Sequence, residues 1–348
     1  MNDLKKITIF YFTGTGNAKQ IALWFSELGV RRGLECKMFN IVTTDLKNIE
    51  EFDIGTLIII ISPIHGFNFP KITLDFIEQF PKGKNRIVLM NTRGGMKIGS
   101  LVTPGLTGVA FFLSSLILKI KGYHIVGQIP FDMPSNWISL HPALNENTIK
   151  FLFRKNYSRV EKYAEKLYSG KSYFLSNRDL IQDILISPVS VAYYLIGKYA
   201  LAKTFYAGNR CNNCGLCVRQ CPVKAIKIAN GRPFWTLKCE SCMRCMNSCP
   251  ENTIETAHGL IISVSFLSSL LFSFLITSSG MLFFKSEPLN TITVSVLFIV
   301  LMCLSYRIQH LFLKNKSFTR LVSFTSLTHY KFWGRYKPLT DDISRSGG

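Results

Sequence analysis

The sequence predicts an α/β chain in which a doubly wound parallel sheet is followed by a small cysteine-rich α+β domain and then by two apolar helices. Three observations lead to this prediction. Short apolar runs alternate with helical segments through the first half of the chain. Eight of the ten cysteines then stand in two matching runs. Two long uncharged apolar stretches follow the cysteines.

Five apolar runs predict the strands of the first domain. The strands are expected near residues 7–12, 36–39, 57–61, 86–91 and 125–131. The helices are expected near residues 17–32, 71–80, 105–121 and 151–169. Such alternation predicts a doubly wound parallel sheet, whose ligand lies where the carboxyl ends of the strands meet. Three loops emerge at that edge, at residues 13–18, 62–69 and 91–96.

The loop after the first strand has the composition of an anion site. It comprises Thr13, Gly14, Thr15, Gly16 and Asn17. Backbone N–H groups in such a turn, beside the start of a helix, bind anions. A Walker loop is excluded because no Gly-Lys-Ser/Thr follows, and Lys19 stands where a dinucleotide loop has its third glycine. Hydroxyls and amides without a lysine clamp suit one terminal phosphate, such as that of FMN, and an ordinary strand–helix turn is the alternative.

Both cysteine runs have the spacing C-x2-C-x2-C-x3-C-P. The first run contains Cys211, Cys214, Cys217 and Cys221, and the second contains Cys239, Cys242, Cys245 and Cys249. Bacterial two-cluster ferredoxins have this spacing, and the fourth cysteine of each run binds the other cluster. We therefore predict two [4Fe-4S] clusters with crossed ligands. One would be held by Cys211, Cys214, Cys217 and Cys249, and the other by Cys239, Cys242, Cys245 and Cys221.

Zinc and disulfides are the alternatives for these cysteines. Zinc sites usually pair one C-x2-C with a distant second pair, and disulfides are disfavoured in a chain without a secretory signal. Met1-Asn2-Asp3-Leu4 leads directly into the first strand pattern, so we expect the cluster domain to stay in the cytoplasm. Cys36 and Cys303 stand outside the runs and are expected to be small apolar residues.

The two apolar stretches predict a transmembrane helical hairpin. Leu260–Phe284 is uncharged and long enough to cross a hydrocarbon core of about 30 Å. A short polar break, Lys285–Pro288, separates it from the uncharged run Leu289–Tyr306. Two buried helices of a soluble protein are the alternative. The net charge of +20 and the 47% of hydrophobic residues also suggest a membrane surface at least as strongly as nucleic acid.

Charge predicts the orientation of this hairpin. Residues 307–337 carry seven Lys or Arg residues and no Asp or Glu, which places them on the cytoplasmic side. Aromatic residues mixed with these cations suit the lipid headgroup layer, so we expect membrane lipid and no nucleic acid as a partner. Two further segments, 98–118 and 180–201, are unusually apolar. For the first segment, contact with membrane, with a partner protein or with the linker helix and plain burial all remain open. The second segment is expected to pack on the face of the first.

The whole pattern resembles the flavodoxin–ferredoxin fusion proteins of anaerobes, the EFR-type ferredoxins. The Thr-Gly-Thr-Gly-Asn loop, the two cysteine runs, Met133–Trp137 and Phe205-Tyr206 carry the resemblance, which covers roughly residues 5–256. It implies a flavodoxin-like FMN domain over 1–175 and a two-[4Fe-4S] domain over 205–257. An apolar linker, 176–204, would join them. The hairpin, 259–306, and a basic aromatic tail, 307–348, are additions to that pattern.

The same resemblance implies which residues contact the flavin. The phosphate would be held by the Thr13–Asn17 loop, although Ala18 replaces a frequent threonine there. The isoalloxazine ring would lie between two further loops, through Ser62, Pro63, His65, Gly66 and Phe67 and through Thr92, Arg93, Gly94 and Gly95. Either His65 or Phe67 could stack on the ring. Arg93 is either a cation near flavin N1 or a solvated loop arginine.

Three functions fit this organisation. The first is a relay in the inner (cytoplasmic) membrane that passes electrons between FMN, the two clusters and a redox partner protein. The second is a reductase with its own lipid-soluble substrate, such as a quinone or prenyl lipid. The third is a redox sensor or assembly subunit, which the lack of a recognisable output domain disfavours. No acid–base constellation is visible, so whether the chain is itself an enzyme stays open.

Overall fold

The computed structural model describes residues 4–46, 52–98, 101–279 and 287–336. The chain divides into two compact units. The first unit contains the chain up to Asn136, residues 143–191 and the segment that begins at Tyr336. The second contains residues 137–142 and 192–335. The segment predicted as a linker, 176–204, is thus divided between the two units.

A seven-stranded sheet forms the centre of the first unit. Its strands are β1 (Lys6–Tyr11), β2 (Glu35–Asn40), β3 (Thr56–Pro63), β4 (Arg86–Ile98), β5 (Leu101–Thr103), β6 (His124–Pro134) and β7 (Tyr173–Phe174). The order is β2-β1-β3-β4-β6-β7, all pairs are parallel, and β5 pairs antiparallel with β4. Without the short β5 and β7, this is the flavodoxin-like strand order, so the predicted fold class is confirmed.

Helices cover both faces of this sheet. They are α1 (Asn17–Arg31), α2 (Lys71–Gln79), α3 (Ala110–Ile120) and α4 (Glu146–Tyr168). Helix α1 packs beside α4, and α2 packs beside α3. Residues Leu57–Ile61 of β3 are at most 1% exposed. Burial on both faces explains why this strand is a continuous apolar run rather than an alternating one.

Strand β4 is longer than its apolar run predicts. The predicted strand ends at Asn91, whereas β4 continues to Ile98 and pairs with β6 as far as Gly95 opposite Pro134. The predicted loop 91–96 is therefore part of a strand. Glycine permits this close pairing, because a Cβ at Gly95 would lie 2.9 Å from the Cβ of Asp132. Position-by-position hydropathy does not reveal such a strand, since residues 91–95 are polar or small.

The helix predicted at 105–121 begins later, at Ala110. Residues 104–108 form a loop that includes Gly108 at φ +63°. The carboxylate of Asp183 holds this loop, accepting hydrogen bonds from the backbone N–H groups of Thr107 (3.1 Å) and Gly108 (2.8 Å). These two amides are thus bound before the helix begins.

An apolar helical segment follows β7. It consists of a 3-10 turn (Ser176–Asp179), α5 (Leu180–Ala192), a π-helical turn (Tyr193–Gly197) and α6 (Lys198–Ala202). Pro188 lies inside α5. A proline removes one backbone donor and disturbs the regular ladder.

The second unit contains short strands, short helices and two long apolar helices. Its elements are β8 (Phe205–Ala207), α7 (Leu216–Arg219), β9 (Ile226–Ala229), β10 (Arg232–Trp235), α8 (Arg244–Ser248), β11 (Ile254–Thr256), α9 (His258–Ser279), α10 (Glu287–Phe312) and α11 (Lys316–Phe324). Strand β8 pairs antiparallel with β11, and β9 with β10. Helices α9 and α10 pack together as a hairpin.

Two helices among the described residues are long and apolar enough to cross a membrane, Ser176–Ala202 and Asn290–Phe312. The second contains most of the predicted span Leu289–Tyr306, while the first lies in the predicted linker. The predicted span Leu260–Phe284 corresponds to α9, of which His258–Leu271 counts as a shorter apolar helix. Residues 280–286 of this span and of the polar break lie outside the described residues.

Part of the tail that we expected in the headgroup layer folds back onto the second unit. The indole N–H of Trp333 donates to the carbonyl of Ile138 at 2.6 Å. Nδ1 of His329 lies 2.9 Å from a carboxylate oxygen of the buried Glu255. Several tail residues therefore contact protein, although the basic and aromatic composition of the tail predicted contact with lipid. Residues 337–348 of the predicted tail lie outside the described residues.

Candidate metal centres and phosphate loop

The first group of cysteines combines both runs. Cys211, Cys214, Cys217 and Cys249 line one cavity. Cys211 and Cys214 lie on the loop that leads into α7, Cys217 lies in α7, and Cys249 follows α8 directly. Burial raises the pKa of the Cys217 thiol to about 11, and the neighbouring thiols raise it further. This is the set of four that the crossed arrangement assigns to one cluster.

The second group contains the remaining four cysteines of the runs. Burial raises the pKa of Cys242 to about 11 and places that of Cys239 and Cys245 well above the usual thiol range. The charge of Cys221 raises the pKa of each of these three thiols, so Cys221 lies beside them. Backbone N–H groups donate to sulfurs of this group, from Ala225 to Cys221 (3.2 Å) and from Ser241 to Cys239 (3.4 Å). Such contacts tune cluster potentials.

The two runs repeat one backbone conformation. In each run, the residue before the second cysteine and the residue after it have positive φ. These are Asn213 (57°) and Gly215 (71°) in the first run and Ser241 (50°) and Met243 (59°) in the second. The third residue after the fourth cysteine also has positive φ, at Lys224 (50°) and Asn252 (46°). Left-handed residues turn a chain sharply, which lets three closely spaced cysteines face one point.

These groups suit iron–sulfur clusters better than single metal ions. Among the described residues, no three His, Cys, Asp or Glu side chains converge closely enough to hold one metal ion. A cubane cluster instead binds each thiolate to a different iron, so four cysteines around a shared space fit it. The raised thiol pKa values show that burial alone disfavours thiolates, and iron would stabilise them. The spacing, two runs of four cysteines rather than one C-x2-C with a distant second pair, disfavours the zinc alternative.

Trp137 belongs to the second unit and supports the second cysteine loop. Its indole N–H donates to the carbonyl of Ser241 at 2.8 Å. Two residues further on, the Ser139 hydroxyl bonds the sulfur of Met243 and the hydroxyl of Thr256. Sequence resemblance singled out Trp137 but gave no partner for it. The structure gives it a role in holding a cluster loop.

The predicted phosphate loop has an open helix start. The N–H of Gly16 donates to the Thr13 hydroxyl at 3.0 Å, Gly16 has φ +109°, and no side chain caps α1. An uncapped helix start presents backbone donors and a positive dipole end, which suits a phosphate. The hydroxyl of Thr15 accepts a hydrogen bond from the Asn136 side chain. Gly14 completes the turn between them.

The side chain of Asn17 is fixed by distant segments. Its amide N–H donates to the carbonyl of Pro134 at 2.8 Å. Its carbonyl accepts a hydrogen bond from the phenol of Tyr336 at 2.6 Å. Tyr336 is fully buried although it lies 319 residues away along the chain. No local sequence signal connects Tyr336 with this loop, so sequence analysis did not find it.

The second predicted flavin loop is folded back on itself. Backbone hydrogen bonds join His65 and Asn68 at 2.9 and 3.3 Å, and Phe67 has φ +65° next to Gly66 at φ +55°. The carbonyl of Phe67 accepts from the backbone N–H of Val109 and the hydroxyl of Ser190. His65 is buried. Ser62 and Pro63 end β3, and the Ser62 hydroxyl bonds that of Thr73 at 2.8 Å.

Arg93 is a buried ion-paired residue, not a solvated loop arginine. Its guanidinium lies 2.7 Å from a carboxylate oxygen of Asp132 and 2.8 Å from one of Asp179. The side chain is only 1% exposed. Its charge is paired with two carboxylates, which weakens the field that it offers to a flavin. Thr92, Gly94 and Gly95 lie beside it in β4 rather than in a loop.

Comparisons with known proteins agree with the cysteine geometry. Residues 210–254 match the family described as a 4Fe-4S dicluster domain. This segment contains all eight cysteines of the two runs. No curated protein sequence matches the chain.

Three solved structures are each similar to less than half of the chain. Rubredoxin oxygen:oxidoreductase from Desulfovibrio gigas is 13% identical over 48% of this chain and 37% of its own length, with a TM-score of 0.34. Flavodoxin 1 from Bacillus cereus is 15% identical over 45% of this chain and 98% of its own, with a TM-score of 0.31. A Fusobacterium nucleatum flavodoxin bound to flavin mononucleotide is 16% identical over 48% and 99%, with a TM-score of 0.34.

The fold of the first unit is therefore assigned from its own strand order and pairing. The second unit is assigned from its cysteine groups and the family that they match. Together, the chain has a flavodoxin-like α/β unit followed by a 4Fe-4S dicluster domain. The prediction of two [4Fe-4S] clusters is confirmed.

Proposed function

We propose that this chain is a membrane-anchored iron–sulfur flavoprotein that transfers electrons between FMN, two [4Fe-4S] clusters and a redox partner protein. The observation that carries the proposal is the division of eight cysteines into two groups of four, each drawing on both runs. Bound FMN supplies one- and two-electron chemistry, and each cluster supplies one-electron chemistry. No acid or base is needed for such transfer.

The phosphate loop supports FMN as the flavin. The uncapped start of α1 would hold the phosphate through backbone N–H groups, with the hydroxyls of Thr13 and Thr15 beside it. The fixed side chain of Asn17 keeps the loop in place from its far side. The loop through His65 and the part of β4 around Arg93 would flank the ring, although the charge of Arg93 is already paired.

Contacts in the second unit support membrane anchoring. Tyr306, near the end of α10, accepts a hydrogen bond from the backbone N–H of Trp235 at 3.0 Å. The buried ammonium of Lys203 donates to the carbonyl of Trp235 at 2.7 Å. Strand β10, which ends at Trp235, lies four residues before Cys239. One end of the apolar hairpin is thereby attached to the chain that carries the second cysteine group.

The proposed location is the inner (cytoplasmic) membrane, with both redox units and the tail on the cytoplasmic side. Helices α9 and α10 would cross the bilayer as a hairpin. The cations that follow α10 supply the positive-inside flank. Protease added outside right-side-out vesicles should leave the tail intact, and cleavage there would contradict the orientation.

A reductase that acts directly on a lipid-soluble substrate is the second candidate. The attachment of α10 beside β10 favours it, because that contact brings the second cysteine group toward the apolar hairpin. Anaerobic purification in detergent separates the two candidates. Iron, sulfide and FMN are counted, and the reduced protein is mixed with a quinone analogue or with protein carriers. Rapid reoxidation by the quinone analogue alone would contradict a pure relay, and full clusters without flavin would contradict the FMN assignment.

A further inference from the structure

Helix α5 of the first unit presents an apolar face to the outside. Its exposed side chains include Ile181, Ile184, Leu185 and Val189, each at least half exposed. Their spacing of three and four residues places them on one side of a helix. Helix α3 of the same unit also exposes Phe112, Leu116 and Ile120, spaced by four. We call the first group the α5 face.

The opposite side of α5 is bonded to its own unit. Asp183 accepts hydrogen bonds from the backbone N–H groups of Thr107 and Gly108, just before α3. The Ser190 hydroxyl donates to the carbonyl of Phe67 at 2.9 Å. Asp183 and Ser190 are seven residues apart, which is two helical turns and one side of the helix. Both are buried, so this side faces protein.

These contacts distinguish two positions of α5 relative to a bilayer, a transmembrane span and a helix in the plane of the interface. The length of the segment alone allows both. The segment Ser176–Ala202 has 27 residues and contains an 18-residue window with a mean hydropathy of 1.5, enough to span a bilayer. A spanning α5 would carry its unit, with the buried carboxylate of Asp183 and the loops that it holds, into the hydrocarbon. A helix in the plane of the interface keeps those contacts and buries only the α5 face.

A lipid bilayer suits the α5 face better than a protein surface. Asp183 and Lys198 are the only charged residues in 180–202, and Asp183 faces inward. A cation precedes the helix, since the Arg178 side chain is 61% exposed. Interfacial helices combine an apolar face with such flanking cations, which attract anionic headgroups. The net charge of +20 acts in the same direction.

We propose that α5 lies in the headgroup–acyl boundary of an anionic bilayer and rests the first unit on the membrane. This inference depends on the proposed anchoring by α9 and α10. The bound surface is anionic phospholipid, contacted through the α5 face. The first unit therefore has its own membrane contact through α5, in addition to the anchoring by the hairpin of α9 and α10.

Photoreactive lipids test this without changing the protein. The full chain is reconstituted in vesicles of equal parts phosphatidylcholine and phosphatidylglycerol. These vesicles contain a lipid whose diazirine lies either near the headgroup or at the end of the acyl chain. After illumination, tryptic fragments are analysed by mass spectrometry. Fragment 179–198 reports α5, fragment 286–307 reports α10, and fragment 20–31 is the control because it carries the exposed Val30 of α1.

Labelling of fragment 179–198 by the headgroup probe, with little by the chain-end probe and none on fragment 20–31, is the expected result. Equal labelling by the chain-end probe would overturn an interfacial position in favour of a span. Absence of label on 179–198 while 286–307 is labelled would overturn the inference alone. Absence of label on both would overturn the anchoring on which it depends.

A matched pair of variants adds a second measurement. Ile184→Glu combined with Leu185→Glu places charge on the α5 face, and Val30→Glu does so on α1. The first should reduce headgroup-probe labelling of fragment 179–198 at least tenfold, and the second should leave it unchanged. Equal labelling in all three proteins would overturn the role of the α5 face.

Discussion

Replacing Asp183 by alanine should open the loop between β5 and α3. The carboxylate binds two backbone N–H groups, at 3.1 and 2.8 Å, and its residue is 9% exposed. A buried donor left without an acceptor costs roughly 1–3 kcal/mol. Desolvation of the carboxylate offsets part of the gain, so we take about 1.5 kcal/mol for each donor. The total is about 3 kcal/mol, or about a hundredfold in the local opening equilibrium.

Amide hydrogen exchange measures this change directly. In Asp183→Ala, the amides of Thr107 and Gly108 should exchange about a hundredfold faster, because each opening of the loop now costs less free energy. Asp183→Asn is the matched control, since its carbonyl can still accept, and exchange should rise far less. Exchange that is within about threefold of the parent in Asp183→Ala would refute this account of how α5 is held.

The same residue predicts a pH dependence. Burial raises the pKa of the Asp183 carboxyl, and the two backbone hydrogen bonds lower it by less. Asp183 therefore binds its proton more tightly in the folded state than in the unfolded state. The stability contributed by protonated Asp183 is fully present below the ordinary aspartate pKa of about 4. It is lost as the pH rises through the higher folded-state pKa. Asp183→Asn should remove this part of the pH dependence of local opening, and a parallel pH profile in both proteins would contradict it.

Three further predictions concern the cofactor sites. Cys249→Ser should lose about four of about eight irons, those of the first cysteine group, whereas Cys221→Ser should lose the four of the second group. Iron analysis with electron paramagnetic resonance measures this, and any other pattern would contradict the crossed ligation. Lys203→Gln removes a buried cation whose charge couples to Cys239, so the potential of the second cluster should fall in a redox titration, and an unchanged potential would count against it. Tyr336→Phe removes one hydrogen bond to the phosphate loop, worth about 1 kcal/mol, and should weaken FMN binding about fivefold in a fluorescence titration; an unchanged Kd would show that the tail does not support the loop.

Local sequence patterns predicted the strands and helices that depend mainly on residues close together in the chain. The five main strands of the first unit and its four long helices are short-range features, since apolar periodicity and glycine-rich turns report them. The cysteine spacing likewise fixes which ligands can share a centre. Strand β4 ran past its apolar part because pairing with β6 depends on a neighbour that is distant in sequence.

Residues that act over long distances could not be predicted in this way. Asp183 resembled any polar residue in an apolar helix, yet it holds a loop 75 residues earlier in the chain. Tyr336 looked like part of a headgroup-facing tail, yet it is buried against Asn17. Arg93 is expected either near flavin N1 or in solvent, and its buried ion pairs with Asp132 and Asp179 exclude the solvated alternative. Tertiary packing decides each case, and a single sequence does not encode it in any local pattern.

The repeat of two cysteine runs has a consequence for the order of assembly during synthesis. Neither run is a complete site, because each group takes its fourth cysteine from the other. The first centre stays one ligand short until Cys249 has been made. His258, the first residue of α9, follows only nine residues later. Completion of the metal sites and synthesis of the first apolar helix therefore follow each other closely on the ribosome.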